Sequence, residues 1–182
     1  MSAGEASPFR VADEITEWSG NRISVARVVV EGPDGERHER EIVHHPGAVA
    51  VIPLHPDGTV TLVRQYRAAL DAEMWEIPAG LRDVEGEPTE QTAERELIEE
   101  AGLRPGNLEH LVTFHNSPGF SDESVVVYVA TDMIEVPDDR QSVEEQHMLI
   151  VRLPLDDVRA MVRDGRITDA KTVIGLLALD RD

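Results

Sequence analysis

"TAERELIEEAGL", residues 92–103, has the composition of the second half of a helix, with Gly102 placed to end it. At about 100° per residue, Glu96, Glu99 and Glu100 fall within roughly a 100° arc of that helix. Carboxylates four residues apart on one face repel each other and destabilise a helix. The surroundings of the helix must therefore provide an interaction that offsets the repulsion between these carboxylates.

The apolar face of the same helix borders two of these carboxylates. With Glu96 at zero, Leu97 lies at about 100° and Ala101 at about 140° around the helix axis. Two carboxylates about 4 Å apart repel by about 4 kcal/mol at an effective dielectric constant near 20. Exposure, protonation or a cation relieves such repulsion, and exposure is the ordinary solution on a solvated face. The position of Glu96 and Glu100 at the edge of the buried face favours a cation, and oxygen ligands suit Mg²⁺ or Mn²⁺.

Strand-like segments lie before and after this helix, separated by turn signals such as the Pro-Asp-Gly triplets at 33–35 and 56–58. The predicted strands span 23–30, 36–43, 47–54, 59–66, 74–78, 108–116, 124–131 and 148–155. The predicted helices span 89–101, 155–164 and 169–179. This order favours an α/β fold in which helices cover a mixed sheet, and it argues against a regular parallel βαβ repeat.

The composition narrows the class of protein. The chain has 182 residues, a net charge of −19 and no cysteine. A nucleic-acid partner is not expected, because most of this surface would repel a polyanion. No apolar run approaches twenty residues, so no membrane span is expected. The first twenty residues lack a basic start and an apolar core, so they do not resemble a signal peptide, and a cytoplasmic setting is expected.

The spacing around the helix resembles the signature of the Nudix hydrolase family. That signature is a glycine, five residues, a glutamate, seven residues, and then Arg-Glu-apolar-x-Glu-Glu-x-Gly-apolar. This chain has Gly80, six residues, Glu87, seven residues, and then the run 95–103. The one extra residue lies in a loop, where a change of length costs little. Every position from Glu87 onward fits the signature.

The resemblance extends over roughly residues 20–180 and is closest in character to the ADP-ribose pyrophosphatase branch, especially its actinobacterial members. It is carried by "VRQYR" (63–67), "WEIPAG" (75–80) and "SPGFSDE" (117–123). It implies a Nudix-type α/β/α sandwich with a mixed sheet, plus a small N-terminal antiparallel sheet. Residues 1–45 would be dimer-forming N-terminal strands, and residues 46–182 the Nudix hydrolase domain. The implied activity is Mg²⁺-dependent hydrolysis of ADP-ribose to AMP and ribose 5-phosphate, by a homodimer with shared active sites.

The resemblance also implies roles for residues at the helix. The expected metal ligands are Glu96, Glu100, Glu99 (directly or through water) and the backbone carbonyl of Ala79. Arg95 is expected to orient a glutamate of this set through a salt bridge, although it would also suit a surface pair with Glu99. Glu87 is expected to anchor the network rather than to bind metal.

The general base is expected from the late acidic loop "SVEEQH", residues 142–147. Glu145 is preferred over Glu144, because the relatives that this chain most resembles use the second glutamate of such a pair. Other members use a residue equivalent to Gln146, which cannot act as a base. A carboxylate in this loop would take a proton from the attacking water while metal ions neutralise the diphosphate.

Substrate contacts are expected from three places. Arg67 is expected to contact the diphosphate, since guanidinium pairs bidentately with phosphate, and Leu81 would lie beside it. Arg40 and Glu41 resemble residues that contact the adenine end across a dimer, but they equally fit a paired strand surface. Trp18 is expected to pack in the core rather than to stack on adenine. The residues expected at the terminal ribose are Ser117, Pro118, Gly119 and Glu123.

Other functions remain open. A pyrophosphatase for another nucleoside-diphosphate sugar or for a dinucleotide would use the same metal site. A non-catalytic ADP-ribose-sensing module is less favoured, because it would not need the intact carboxylates. The histidines show no HExxH pairing, and no G-x-S-x-G elbow surrounds "SDES" (121–124), so neither a histidine metal site nor a serine triad is expected.

Overall fold

The structure, a computed structural model, describes residues 7–137 and 147–179. Contacts divide the chain into two compact units. The first unit is Met1–Pro46 with His115–Glu123, and the second is Gly47–Phe114 with Ser124–Asp182. Each unit contains its own β-structure.

The first unit is built on an antiparallel sheet in which the strands follow their order in the chain. Its strands are β1 (Arg10–Ser19), β2 (Ser24–Glu31) and β3 (Arg37–His44). In the turn between β2 and β3, the Gly32 N–H donates to the Glu36 carbonyl at 2.9 Å. Gly35 adopts a φ of 80° there, which residues with a side chain rarely adopt. The expected small N-terminal antiparallel sheet is confirmed.

Strand β1 is not predicted by the sequence patterns. Its register against β2 shifts between Val11 and Asp13 and again between Thr16 and Trp18, so the two-residue alternation is interrupted. Trp18 is 55% exposed, and the expected packing of this side chain in the core is therefore wrong for the chain as described. Its indole instead covers Gly20, where a Cβ would lie 2.3 Å from the ring.

The segment beside β3 is the loop 117–123, which is expected to contact the terminal ribose and is called the expected ribose loop below. Val43 of β3 forms a parallel bridge with Ser121. The Val43 N–H donates to the Phe120 carbonyl at 2.7 Å, and the Asp122 N–H donates to the Val43 carbonyl at 3.3 Å. The loop is thereby fixed to the edge of the antiparallel sheet.

The second unit contains a mixed sheet in the order β7-β4-β10-β9, in which β10 is parallel and β7 antiparallel to β4. Strand β5 forms a separate antiparallel sheet with β12 and β6, and β8 pairs with β11. The strands are β4 (Ala48–Pro53), β5 (Thr59–Arg67), β6 (Ala72–Glu76), β7 (Ala79–Leu81), β8 (Leu103–Arg104), β9 (Asn107–His115), β10 (Ser124–Thr131), β11 (Ile134–Glu135) and β12 (Leu149–Pro154).

Alternation along β4 separates two apolar clusters. The helices are α1 (Thr89–Ala101), α2 (Leu155–Arg163) and α3 (Ala170–Leu179). Val49 and Val51 pack with Leu97 of α1 in one cluster. Ala50 and Ile52 point the other way, into a cluster that includes Val158, Met161 and Leu176 of α2 and α3. Helices therefore cover both faces of a mixed sheet, and the expected α/β fold class is confirmed.

Helix α1 has the bounds that the sequence predicts. It begins after Pro88 and ends at Gly102, whose φ of 63° is left-handed and whose N–H donates to the Ile98 carbonyl at 2.9 Å. Among the described helices, none combines the length and the apolar character needed to cross a bilayer.

Candidate active site

Strand β7 and helix α1 meet so closely that no side chain fits between them. A Cβ on Gly80 would lie 1.9 Å from Glu96 Cδ and 2.1 Å from Glu96 Oε2. The Ala79 N–H donates to Glu100 Oε2 at 2.9 Å. Strand β7 is itself held by antiparallel pairing with β4, where Gly80 lies opposite Val49. The backbone at residues 79 and 80 thus lies directly against two of the three clustered carboxylates.

Glu96 and Glu100 are both buried, with 9% and 5% of their surface exposed. Burial raises the pKa of Glu96 to about 7, although the charge of Arg95 opposes the shift. Burial raises the pKa of Glu100 to about 8, against the hydrogen bond from Ala79. A carboxylate in such a place is neutralised by a proton unless a cation compensates its charge. At neutral pH the two carboxylates can therefore both be ionised only if a cation lies close to them.

Arg95 of α1 donates hydrogen bonds to three glutamates, two on the helix and one in the loop before it. Its Nη1 donates to Glu96 Oε1 at 2.6 Å and to Glu99 Oε2 at 3.3 Å, and its Nη2 donates to Glu87 Oε2 at 3.3 Å. Burial lowers the pKa of Arg95, but these glutamates outweigh it and the net shift is upward. Thr92 Oγ1 also donates to Glu87 at 2.8 Å and lowers the pKa of that carboxyl. The contacts of Arg95 and Glu87 suit the expected roles, which stay predictions.

The donors at β7 and α1 fit a divalent cation chemically. Two buried carboxylates with raised pKa values lie against a glycine backbone, and Mg²⁺ and Mn²⁺ prefer oxygen ligands. In residues 7–137 and 147–179, however, three or more acidic, histidine or cysteine side chains do not already converge as a metal cluster. Glu99 lies against Arg95. The assignment of Glu99 and of the Ala79 carbonyl as ligands stays a prediction.

Arg67, at the end of β5, is held by a residue that the sequence reasoning missed. Arg67 Nε and Nη2 donate to Glu76 Oε1 and Oε2 at 2.7 and 2.6 Å. Glu76 is only 1% exposed, and burial raises its pKa, but Arg67 and Lys171 reverse the shift and lower it. The Arg67 side chain remains 41% exposed, which leaves it accessible to a phosphate. An acidic residue in the apolar strand "MWEIP" was the available signal, because a buried carboxylate needs a cationic partner.

The other residues expected to bind substrate are found on β7 and in the first unit. Leu81 is the last residue of β7 and is half-buried. Arg40 and Glu41 are exposed on β3, where Arg40 Nη1 donates to the Glu39 carbonyl at 2.8 Å. Glu41 also lines a groove of about 460 Å³ in the first unit, together with Phe120.

The expected ribose loop forms a turn in the first unit. The Ser117 carbonyl accepts hydrogen bonds from the N–H groups of Phe120 and Ser121, at 3.0 and 2.9 Å. Pro118 and Gly119 lie exposed within this turn. Glu123 is half-buried, with His45 Nε2 3.9 Å from its Oε1.

The expected general base, Glu145, lies outside the described residues, as do Glu144 and Gln146. The structure brings together the backbone of β7 and the carboxylates of Glu96 and Glu100, with Arg95 beside Glu96. The roles assigned to all of these residues in catalysis and substrate binding stay predictions.

Known proteins resemble this chain over most of its length. The NUDIX domain family matches residues 44–173. The ADP-ribose pyrophosphatase of Mycobacterium tuberculosis (strain ATCC 25618 / H37Rv) is 39% identical over 171 residues, which cover 94% of this chain and 83% of that protein. The ADP-ribose pyrophosphatase of Bacillus subtilis (strain 168) is 37% identical over 159 residues, covering 87% of this chain and 85% of that protein.

A solved structure gives the same result for the fold. The crystal structure of an ADP compounds hydrolase superposes with a TM-score of 0.83, covering 97% of this chain and 95% of its own, at 22% sequence identity. Shared architecture at that identity shows the fold alone. Together with the match over residues 44–173 and with relatives above 30% identity, it supports one conclusion about ancestry. This chain belongs to the NUDIX domain family.

Proposed function

We propose that this protein hydrolyses the diphosphate of ADP-ribose, with a bound divalent cation, to AMP and ribose 5-phosphate. The observation that carries the proposal is the buried pair Glu96 and Glu100, held against Gly80 and Ala79 in a chain that is similar to proteins named ADP-ribose pyrophosphatase. The two relatives named ADP-ribose pyrophosphatase, each matched over more than four fifths of this chain, support ADP-ribose as the substrate.

Hydrolysis of a diphosphate needs three things from the protein: orientation of the substrate, compensation of negative charge, and removal of a proton from the attacking water. A divalent cation supplies charge compensation at the phosphates when it is bound. Glu96 and Glu100 would hold that cation, with Glu99 and the Ala79 carbonyl as further donors. Mg²⁺ is the proposed ion and Mn²⁺ the alternative, because both prefer oxygen ligands.

The remaining steps belong to side chains of this chain. Arg95 restrains the Glu96 carboxylate through its 2.6 Å hydrogen bond. Arg67 would bind a phosphate oxygen, since Glu76 fixes its guanidinium while 41% of its side chain stays exposed. Glu145 would accept the proton of the water that attacks phosphorus. The bridging P–O bond then breaks, and the water oxygen stays on one of the two phosphate products.

A substrate screen tests the proposal. The purified protein is incubated with Mg²⁺ and, separately, with ADP-ribose, other nucleoside-diphosphate sugars and dinucleotides, and products are quantified by anion-exchange chromatography. ADP-ribose is expected to give AMP and ribose 5-phosphate with the highest kcat/KM. Preference for another nucleoside-diphosphate sugar or a dinucleotide would replace ADP-ribose while retaining the reaction. Binding of ADP-ribose without turnover of any substrate would instead favour a sensing module.

Three finer expectations accompany the proposal. A homodimer would share its active sites through the N-terminal strands, residues 1–45. Residues 46–182 would form the hydrolase domain. A cytoplasmic setting suits a chain without cysteine. Light scattering tests the dimer, which predicts a mass of twice 20.1 kDa.

A further inference from the structure

Lys171 is chemically singular in this chain. Of the 17 basic residues, it alone is a lysine, and the others are all arginine. It lies in the first turn of α3 with only 13% of its side chain exposed. A compact ammonium at a buried position, in a chain that otherwise uses guanidinium, indicates a local requirement for a point charge.

The contacts of Lys171 identify that requirement. Its Nζ donates to Glu76 Oε2 and, at 2.9 Å, to Asp169 Oδ1. Glu76 Oε2 is the same atom that accepts from Arg67 Nη2 at 2.6 Å, while Glu76 Oε1 accepts from Arg67 Nε at 2.7 Å. A carboxylate that is 1% exposed thus contacts two cations, and both donate to the same oxygen. Because a guanidinium is broader than an ammonium, the second position beside that oxygen suits lysine.

The same corner of α3 also fixes the chain that leads into β7. Asp169 Oδ2 accepts from Thr172 N at 3.0 Å and from Thr172 Oγ1 at 2.6 Å. The Ile77 N–H donates to Thr172 Oγ1 at 2.9 Å. Ile77 stands two residues before Ala79, whose N–H donates to Glu100. The start of α3 is therefore joined by hydrogen bonds both to the carboxylate that holds Arg67 and to the backbone two residues before Ala79, whose N–H contacts Glu100.

We propose that Glu76 and Lys171 are positioning residues for the diphosphate site: Lys171 fixes the rotation of the Glu76 carboxylate, and Glu76 fixes the plane of the Arg67 guanidinium. The proposal rests on the proposed function in that it assumes a diphosphate substrate, but it does not depend on which one. Removal of Lys171 leaves Glu76 with a single cation on two oxygens. The carboxylate then rotates toward Arg67, and the exposed edge of Arg67 moves away from the place that a phosphate must reach.

The test is a double-mutant cycle between Lys171 and Arg67. The variants are Lys171→Met, Arg67→Met and the double substitution, compared by kcat and KM with Mg²⁺ and ADP-ribose. Lys171→Met is expected to lower kcat/KM by up to about 100-fold, the loss that a 1 Å displacement of a positioning group can cause. Because Lys171 acts through Arg67, the double variant is expected to be no slower than Arg67→Met alone. A merely structural lysine would instead give losses that multiply.

Two further variants keep the result interpretable. Arg166→Met removes an exposed cation whose Nη2 pairs with Asp164 at 2.7 Å, and it is expected to leave kcat/KM within about twofold of wild type. Lys171→Arg keeps the charge but not the shape, and it is expected to recover part of the loss. Retention of the far-ultraviolet circular dichroism spectrum by Lys171→Met excludes unfolding as the cause, and if that variant fails to fold, Lys171→Arg replaces it in the cycle.

The outcomes separate this proposal from the proposed function. If wild type hydrolyses another diphosphate but not ADP-ribose, the cycle is run with that substrate and the positioning proposal is tested unchanged. If wild type hydrolyses ADP-ribose while Lys171→Met matches it, or while the losses at Lys171 and Arg67 multiply, the positioning proposal is wrong and the proposed function stands. Because Lys171 is the sole lysine, ¹⁵N-lysine labelling gives a single side-chain signal. That signal is expected to shift in Arg67→Met even without substrate.

Discussion

Gly80→Ala is expected to damage the candidate active site more than its single methyl group suggests. The added Cβ would lie 1.9 Å from Glu96 Cδ, whereas an ordinary contact begins near 3.4 Å. The Glu96 carboxyl group must therefore move by about 1.5 Å, the difference between those two distances. Glu96 is 9% exposed, so little open space receives it.

Two costs follow from that displacement. Overpacking of a buried site costs about 1–3 kcal/mol. The 2.6 Å hydrogen bond from Arg95 to Glu96 is also lost or weakened, and a charged hydrogen bond contributes about 1.5–3 kcal/mol. We expect the free energy of unfolding to fall by about 2.5–6 kcal/mol, the sum of the two costs. Turnover is expected to fall by about 100-fold or more, since a 1 Å misplacement near reacting groups has that effect.

The assay combines urea unfolding, followed by circular dichroism, with Mg²⁺-dependent hydrolysis of ADP-ribose. Gly119→Ala is the matched control for stability, because a Cβ there meets no atom within 4 Å and its φ is not left-handed. The control is expected to keep or slightly raise the free energy of unfolding, as restriction of the unfolded chain predicts. Wild-type stability and turnover in Gly80→Ala would refute the close packing of β7 against Glu96.

Three further outcomes are expected. Mg²⁺ at 100 times its Kd should stabilise wild type by about 2.7 kcal/mol and so raise its unfolding temperature. Glu100→Gln should lose most of that shift, and no shift in wild type would contradict the metal site. Glu145→Gln should lower kcat with little change in the Kd for ADP-ribose, measured by calorimetry with inert Ca²⁺, whereas the same result in Glu144→Gln would move the base by one residue. The hydrogen bond to Asp122 raises the pKa of His44, so this pair stabilises the fold fully below the ordinary histidine pKa of 6.5 and loses that effect as pH rises through the raised value. The urea midpoints of wild type and His44→Gln should therefore converge as pH rises above 6.5, and a constant difference would argue against the pair.

Local sequence signals predicted the central helix well. The apolar face of α1, the glycine that ends it and the glutamate spacing all lie within about four turns of one helix, so nearest-neighbour rules apply to them. The spacing of the Nudix signature also singled out Glu96 and Glu100 as expected metal ligands, and the structure buries both against β7. Strand β1 escaped prediction because two irregularities in its register interrupt the alternation that marks a strand.

Long-range contacts account for the rest of what the sequence did not predict. Lys171 and Glu76 are 95 residues apart in the chain, and no local pattern pairs an α3 residue with the end of β6. Trp18 was expected in the core because large aromatic side chains are usually buried, but nine of the ten residues of its strand are exposed. The proximity of Gly80 to Glu96 is another such contact, since it depends on how β7 docks on the helix.

The three clustered glutamates are compensated in different ways. Glu96 and Glu99 both accept hydrogen bonds from Arg95, whereas Glu100 accepts one from the backbone N–H of Ala79. A neutral N–H compensates a buried carboxylate less than a guanidinium does, and burial accordingly raises the pKa of Glu100 to about 8. The repulsion in the helix is thus partly offset by arginine, and what remains is concentrated on the deepest carboxylate.

A net charge of −19 does not exclude a substrate that carries two negative phosphates. The Debye length near 0.15 M salt is about 8 Å, so salt screens the repulsion between the substrate and most of those charges. Contacts at about 3 Å are not screened in the same way, and there the local cations decide the interaction. In the proposed site Arg67, fixed on buried Glu76, would provide such a cation, together with a divalent ion at Glu96 and Glu100. An acidic protein can therefore bind an anionic diphosphate, provided that its cations are held rigidly at the point of contact.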